Sequence, residues 1–314
     1  MARLGVWTGR RPVNKKQKAA FLSILSNSTL VILKVAVGLT VNSISVLSEA
    51  IHSAMDLTSA LIAYFTVGKS SEPADQSHPY GHGKFESLSG TVEAALIGVA
   101  GIYIIWESVE RLSYPMGLKH IPYGLGVMFF SALINFFIYR HNIKVARETE
   151  SLALEANAFH LSADVYTSLG VFAGLALISL TGIKALDPVA AIFVALFIAK
   201  TSVSLMRKGL RDLMDWRLPE NEEKAIEAIL KDHYRQFVEF HKLRARKSGP
   251  ERYIDLHLVF AKAVNLPTAH SLCTHLEEEI KDRFPLSQTT IHIEPCQDSC
   301  EGCEKDCPQY HSSR

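Results

Sequence analysis

Two short words stand out by residue type and spacing: His52-Ser-Ala-Met-Asp56 and His160-Leu-Ser-Ala-Asp164. Each lies inside a long apolar stretch. On a helix, residues four apart share a face one turn from each other. A carboxylate near the centre of a bilayer costs about 2.5–3.5 kcal/mol to insert, so it turns toward a partner or a water-filled cavity. Two such helices facing each other offer two imidazole nitrogens and two carboxylates, a tetrahedral donor set suited to Zn²⁺. The alternative is a pair of unrelated polar contacts holding a helix bundle together. That suffices for one such word, but the repetition favours the metal.

Two further clusters carry ligand chemistry. Asp75, His78 and His82 lie in a loop rich in Gly and Pro, and the spacing Asp-x-x-His-x-x-x-His supplies three ligands with room for water. The alternative there is a turn with solvated histidines. Of the five cysteines, four crowd together as Cys296-x-x-x-Cys300-x-x-Cys303-x-x-x-Cys307-Pro308. In a reducing compartment such a run points to metal or redox chemistry rather than to disulfides. It could close around one Zn²⁺, and it comes within one residue of a ferredoxin-type spacing; the alternative is a flexible tail with no defined site. Among isolated polar residues in apolar stretches, Lys34 either snorkels or pairs. Glu93 and Asn157 either line a water path or hydrogen-bond between helices. No His-Glu-x-x-His word is present to suggest a metalloprotease, and the chain is not expected to be an enzyme.

These residues need elements to position them. Almost half of the chain is apolar (48%), concentrated before Met206, and the remainder is strongly charged, which divides a membrane domain from a soluble one. The net charge of +1 leaves no footprint for nucleic acid. Six segments approach the ~20 residues needed to cross hydrocarbon: Ala20–Leu39, Ser43–Val67, Leu88–Trp106, Tyr123–Tyr139, Phe159–Leu180 and Pro188–Met206. The basic N-terminus (Arg10, Arg11, Lys15, Lys16, Lys18) runs straight into the first span, so no cleavable signal peptide is expected. Lys69, Lys84, Arg140, Lys144, Arg147, Arg207, Lys208 and Arg211 share its side of the membrane, against Arg111, Lys119 and Lys184 on the other. Counting positive charges therefore places both termini in the cytoplasm.

After Leu218 the pattern changes. Pro219 followed by Glu220, Glu222 and Glu223 starts a helix. Residues 238–246 and 252–260 read as strands joined at Ser248-Gly249-Pro250, Pro267 opens a second helix, and 289–294 is a last strand. The expected order is α-β-β-α-β, a small α+β domain with helices over one sheet face. Alternation puts His257 with Asp255, and His292 with Glu294, on the non-aliphatic face. His257, His292 and Glu294 form, with His241 and His270, a third candidate metal cluster; the alternative is a polar face open to water.

In this order, six spans, polar words on spans two and five, the loop from Pro73 to Lys84, and the α-β-β-α-β domain, the chain resembles the cation diffusion facilitator family. The closest likeness is to its bacterial zinc and iron efflux members, and it extends to about Pro295. The resemblance implies a six-transmembrane-helix bundle with a cytoplasmic metallochaperone-like (ferredoxin-like) α+β domain. It divides the chain into a basic arm (1–19), a transport domain (20–210), a metal-binding dimerisation domain (211–295) and a Cys-rich tail (296–314). It implies a homodimer in the inner membrane that exports divalent metal, Zn²⁺ first, in exchange for protons. His52, Asp56, His160 and Asp164 would be the transport site; Asp75, His78 and His82 a cytoplasm-facing site. His241, His257, His270, His292 and Glu294 match positions that bind zinc and brace the dimer in related exporters. Glu294 replaces the usual Asp there and is one methylene longer. Lys84 and Asp215 match an inter-subunit charge interlock. The Cys tail lies outside the family pattern. Two other functions fit less well: a broader exporter of Fe²⁺, Cd²⁺, Co²⁺ or Mn²⁺, or a membrane metal sensor that transports nothing. Many bacterial members have Asp at the first position of the transport site. His52 departs from them and favours borderline Zn²⁺ over harder ions. The expected outcome is that His52→Asp widens the range of metals carried, measured as relative Zn²⁺, Cd²⁺, Fe²⁺ and Mn²⁺ flux; unchanged selectivity contradicts the role of His52 as filter.

Overall fold

The computed structural model describes residues 13–41, 44–113, 121–181 and 185–296; some helical side chains within those ranges, that of His52 among them, lie outside the description. The chain divides into two compact units, Met1–Arg211 and Asp212–Arg314. Six long helices precede the sheet: α1 (Val13–Val41), α2 (Ile44–Ser70), α3 (Lys84–Ser113), α4 (Ile121–Thr149), α5 (Leu152–Thr181) and α6 (Leu186–Leu213). At ~1.5 Å per residue each is roughly 40–45 Å long, more than the ~30 Å of hydrocarbon. The expected spans are shorter because hydropathy marks only the part in lipid, whereas backbone hydrogen bonding carries the helix onward, as in residues 140–149 of α4.

Among the described residues, Lys15–Val37, Lys84–Glu110 and Pro188–Leu213 are long and apolar enough to cross a membrane. Ile32, Phe65, Ile102, Phe137 and Phe193, from five different helices, are 61–70% exposed. So much bulky apolar surface is stable only against lipid. The interior is lined instead by small residues: Ala60, Ala63, Ala94, Ala153, Ala156 and Ala195 are fully buried. Close backbone approach of this kind is what drives helix association in lipid. At Gly90 it is extreme, since a Cβ there would sit 2.8 Å from Leu152 Cγ and 3.0 Å from its carbonyl oxygen.

The α4–α5 connection is tight. Glu150 takes a left-handed conformation (φ 50°) and Ser151 N donates to Ala146 O at 3.0 Å, a Schellman ending that satisfies the last carbonyls of α4 and turns the chain back at once. Asn142 on α4 then meets Asn157 on α5 and Ser23 on α1. Asn142 Nδ2 donates to Ser23 Oγ (2.6 Å), and Ser23 Oγ donates to Asn157 Oδ1 (3.1 Å). Asn157 therefore joins helices, one of the two roles its sequence position allows. A second polar lock ties α1, α2 and α3: Glu86 Oε1 receives Lys16 Nζ and Ser70 Oγ, each at 2.8 Å, with the Lys16 and Glu86 side chains 6% and 0% exposed.

The second unit follows the expected α-β-β-α-β order: α7 (Glu220–Asp232), β1 (Glu239–Ser248), β2 (Glu251–Phe260), α8 (Leu266–Arg283) and β3 (Ser287–Pro295). The strand order is β1-β2-β3, with β1 antiparallel and β3 parallel to β2, so α8 is the crossover. Ile226 and Leu230 of α7 and Leu272, Leu276 and Ile280 of α8 pack on Ile254, Leu256, Leu258 and Phe260 of β2. The helices thus cover one face of the sheet, and the odd-numbered residues of β2 point away from them.

Removing one partner of a buried ion pair leaves an uncompensated charge. Lys16→Met is expected to destabilise the chain by about 3–5 kcal/mol. The double change Lys16→Met with Glu86→Leu should recover most of that, measured by thermal or denaturant unfolding in detergent.

Candidate metal centre

The repeated words lie on α2 and α5, which pack together. His160 Nε2 lies 2.9 Å from Asp56 Oδ1, and Asp56 is 5% exposed. Asp164 follows His160 by one turn, and ligand atoms of Asp56, His160 and Asp164 all lie within 4.8 Å of one another. Three of the four expected ligands are therefore brought together. His52 is on α2, one turn before Asp56; its side chain lies outside the described residues. Beside them, Lys34 Nζ donates to Ser53 Oγ at 2.8 Å, so this buried lysine pairs across α1 and α2. Glu93 on α3 is 2% exposed, and among the described residues neither of its oxygens has a hydrogen-bond partner.

Asp75, His78 and His82 also converge within 4.8 Å. Asp75 Oδ1 accepts from the backbone N–H of His78 (2.6 Å) and of Ser77 (2.8 Å), a turn that fixes the carboxylate. The His78 N–H is the main reason its carboxyl sits below the ordinary range. His82 is 2% exposed and, among the described residues, neither ring nitrogen has a hydrogen-bond partner, with Nε2 3.4 Å from Asp75 Oδ2. The three side chains could together hold a cation.

On the outer face of the sheet, His241, His257 and His292 stand in one row across β1, β2 and β3. A β-bulge makes this possible. The register slips between His241 and Arg244, where Lys242 has φ 53°, so His241 rather than Lys242 lies opposite His257. Glu294 joins the row: His257 Nδ1 is 2.7 Å from its Oε1, His241 Nε2 3.2 Å from its Oε2, and His292 Nε2 3.8 Å from its Oε1. The longer side chain therefore still reaches the cluster, and its contact with His257 is the main cause of a carboxyl held below its usual value. His270 does not join. It is exposed on α8, which packs on the opposite, aliphatic face, so the sheet lies between it and the other four.

Asp215 accepts Arg246 of its own unit at 3.0 Å, and Lys84 is the first residue of α3. Cys296 is described, its N–H donating to Phe260 O at 2.7 Å; Cys300, Cys303 and Cys307 lie outside the described residues. Two features went unforeseen. The bulge has a sequence signal, since the aliphatic spacing Phe240, Leu243, Ala245 breaks the period of two. A further group, His233 with His275 and Glu279, also places ligand atoms within 4.8 Å; its signal is the one-turn spacing His275-x-x-x-Glu279.

A helical bundle with an apolar exterior and a buried His/Asp cluster, followed by an α+β unit with a histidine row, has the architecture of a membrane protein with side chains that could hold metal. The sequence comparisons agree. Residues 20–214 match the family model described as cation efflux transmembrane domain, and residues 218–296 match the one described as cation efflux protein, cytoplasmic domain. The chain belongs to the cation efflux, or cation diffusion facilitator, family of divalent metal exporters. It is 33% identical over 279 residues to an uncharacterized transporter, sll1263, of Synechocystis sp., covering 89% of this chain and 90% of that one. It is 30% identical to the cation-efflux pump FieF of Yersinia pestis (89% and 93% covered) and 28% to that of Serratia proteamaculans (91% and 95%).

A carboxylate whose value is lowered on folding stabilises the fold fully above its ordinary value, 4.5 for Glu294, and loses that effect as pH falls further. Glu294→Gln is expected to flatten the acid-side loss of thermal stability below pH 4.5, measured on the metal-free full chain; parallel acid limbs in both proteins contradict this.

Proposed function

We propose that this chain is a homodimeric inner-membrane exporter that moves Zn²⁺ out of the cytoplasm in exchange for protons, with both termini cytoplasmic. His52, Asp56, His160 and Asp164 hold the ion within the transport domain (20–210). The site alternates between a cytosolic and an external opening. The observation that carries this reading is the convergence of Asp56, His160 and Asp164 from two helices inside the bundle. Imidazole nitrogen combined with carboxylate favours a borderline ion such as Zn²⁺ over Mg²⁺ or Mn²⁺. Two carboxylates and two neutral imidazoles around Zn²⁺ carry no net charge. When the metal leaves, protons supply the charge that a low-dielectric site requires, and exchange follows from that substitution. The cytoplasmic domain (211–295) would sense metal through the histidine row and hold the dimer. A second copy would have to supply any role for His270 at that row and the partner for a Lys84–Asp215 interlock. Asp75, His78 and His82 would bind metal on the cytoplasmic side of the bundle.

The test is Zn²⁺ flux in proteoliposomes under an imposed pH gradient. Flux should follow the gradient and stop when a protonophore collapses it. Asp164→Asn should lower it at least ~10–100-fold, the scale on which support of a metal ligand matters. Flux that ignores the gradient and survives Asp56→Ala with Asp164→Ala contradicts the proposal.

A further inference from the structure

The group His233, His275 and Glu279 lies apart from every cluster so far assigned. His233 ends α7 as its C-cap, and His275 and Glu279 share a face of α8 one turn apart. All three stand on the helical side of the second unit, across the sheet from the histidine row. Glu279 Oε2 lies 3.6 Å from His233 Nε2 and 4.0 Å from His275 Nε2. Ligands of a tetrahedral zinc ion at about 2.0–2.1 Å stand roughly 3.3 Å apart, so the two contacts would have to shorten by about 0.3 and 0.7 Å. The two imidazoles meet edge to face with centroids 5.2 Å apart.

Two details point to a ligand rather than to a polar helix contact. His233 Nδ1 is 3.0 Å from Ile229 O. A carbonyl only accepts, so Nδ1 carries a proton, and in the neutral imidazole Nε2 then has the lone pair on the side of Glu279. That backbone anchor on the far ring nitrogen is the arrangement that fixes metal-binding histidines. Glu279 Oε2 is a buried atom with no hydrogen-bond partner among the described residues, and a cation held between it and the two imidazoles would satisfy it. The negative end of the α7 dipole, where His233 sits, favours positive charge as well.

We propose that His233, His275 and Glu279 form an additional binding site for a borderline first-row divalent cation such as Zn²⁺. Three protein ligands leave a position for water, so the ion exchanges rather than being permanently structural. Its effect is to clamp the C-terminal end of α7 to α8, independently of the histidine row.

The experiment is metal stoichiometry of the full chain in detergent, dialysed against buffered micromolar free Zn²⁺ and read by elemental analysis. His275→Ala and Glu279→Gln, both at partly exposed side chains, should each bind one Zn²⁺ fewer per chain than the unaltered protein. Their metal-free melting should be unchanged, and they should gain less thermal stability on adding Zn²⁺. Equal stoichiometry in all three proteins overturns the site. So does a lowered metal-free melting temperature without a lost equivalent, which marks a polar contact between helices and nothing more. Because flux plays no part in the readout, the outcome is separate from that of the transport reading.

Discussion

A carboxylate buried between helices in lipid is costly unless it is partnered or protonated, and the contact of Asp56 with His160, 2.9 Å across α2 and α5, is where this chain meets that constraint. Bulk water screens it little. In the proposed exchange that constraint links binding to coupling: the groups that would attract a divalent cation are those that would need protons once it has gone. Asp164, one turn from His160, brings a second carboxyl group to the same place.

The remaining buried polar groups behave differently. Lys16 with Glu86 and Ser70 closes three helices at one position. Ser23, Asn142 and Asn157 join another three by hydrogen bonds. These contacts tie neighbouring helices together at fixed points. Around them, packing depends on alanine and glycine rather than on bulky interdigitation, which allows close approach without locking helices by large side chains. The candidate metal-binding residues and the interhelical locks thus fall on different residues of the same bundle.

Much of this was legible in the sequence, and the reasons are specific. His-x-x-x-Asp has the period of a helix, so one ligating face could be read from spacing alone. The alternation of Ile254, Leu256 and Leu258 with Asp255 and His257 fixed which face of β2 is polar. The helix order after Leu218 followed from Pro219, Pro267 and the turn at Gly249. Other features depend on distance between segments, which spacing does not carry. The register that aligns His241, His257 and His292 requires an extra residue at Lys242, visible only as a break in aliphatic period. His270 shares the residue type of the row, but α8 packs on the other side of the sheet. His233 is separated from His275 by two strands in sequence, and only the packing of α7 on α8 brings them together. Helix ends, too, ran past the hydropathy limits, because hydrogen bonding does not stop at the lipid boundary.

The central claim is that metal and protons compete for the same carboxylates and imidazoles in the bundle. It is tested most directly by counting protons released when Zn²⁺ binds to the full chain, from calorimetry in buffers of different ionisation enthalpy. The expected result is that Zn²⁺ displaces protons from the unaltered protein and that Asp56→Asn reduces the number displaced while the loop and sheet clusters remain intact. Equal proton release from both proteins, with Zn²⁺ bound equally well, would contradict it.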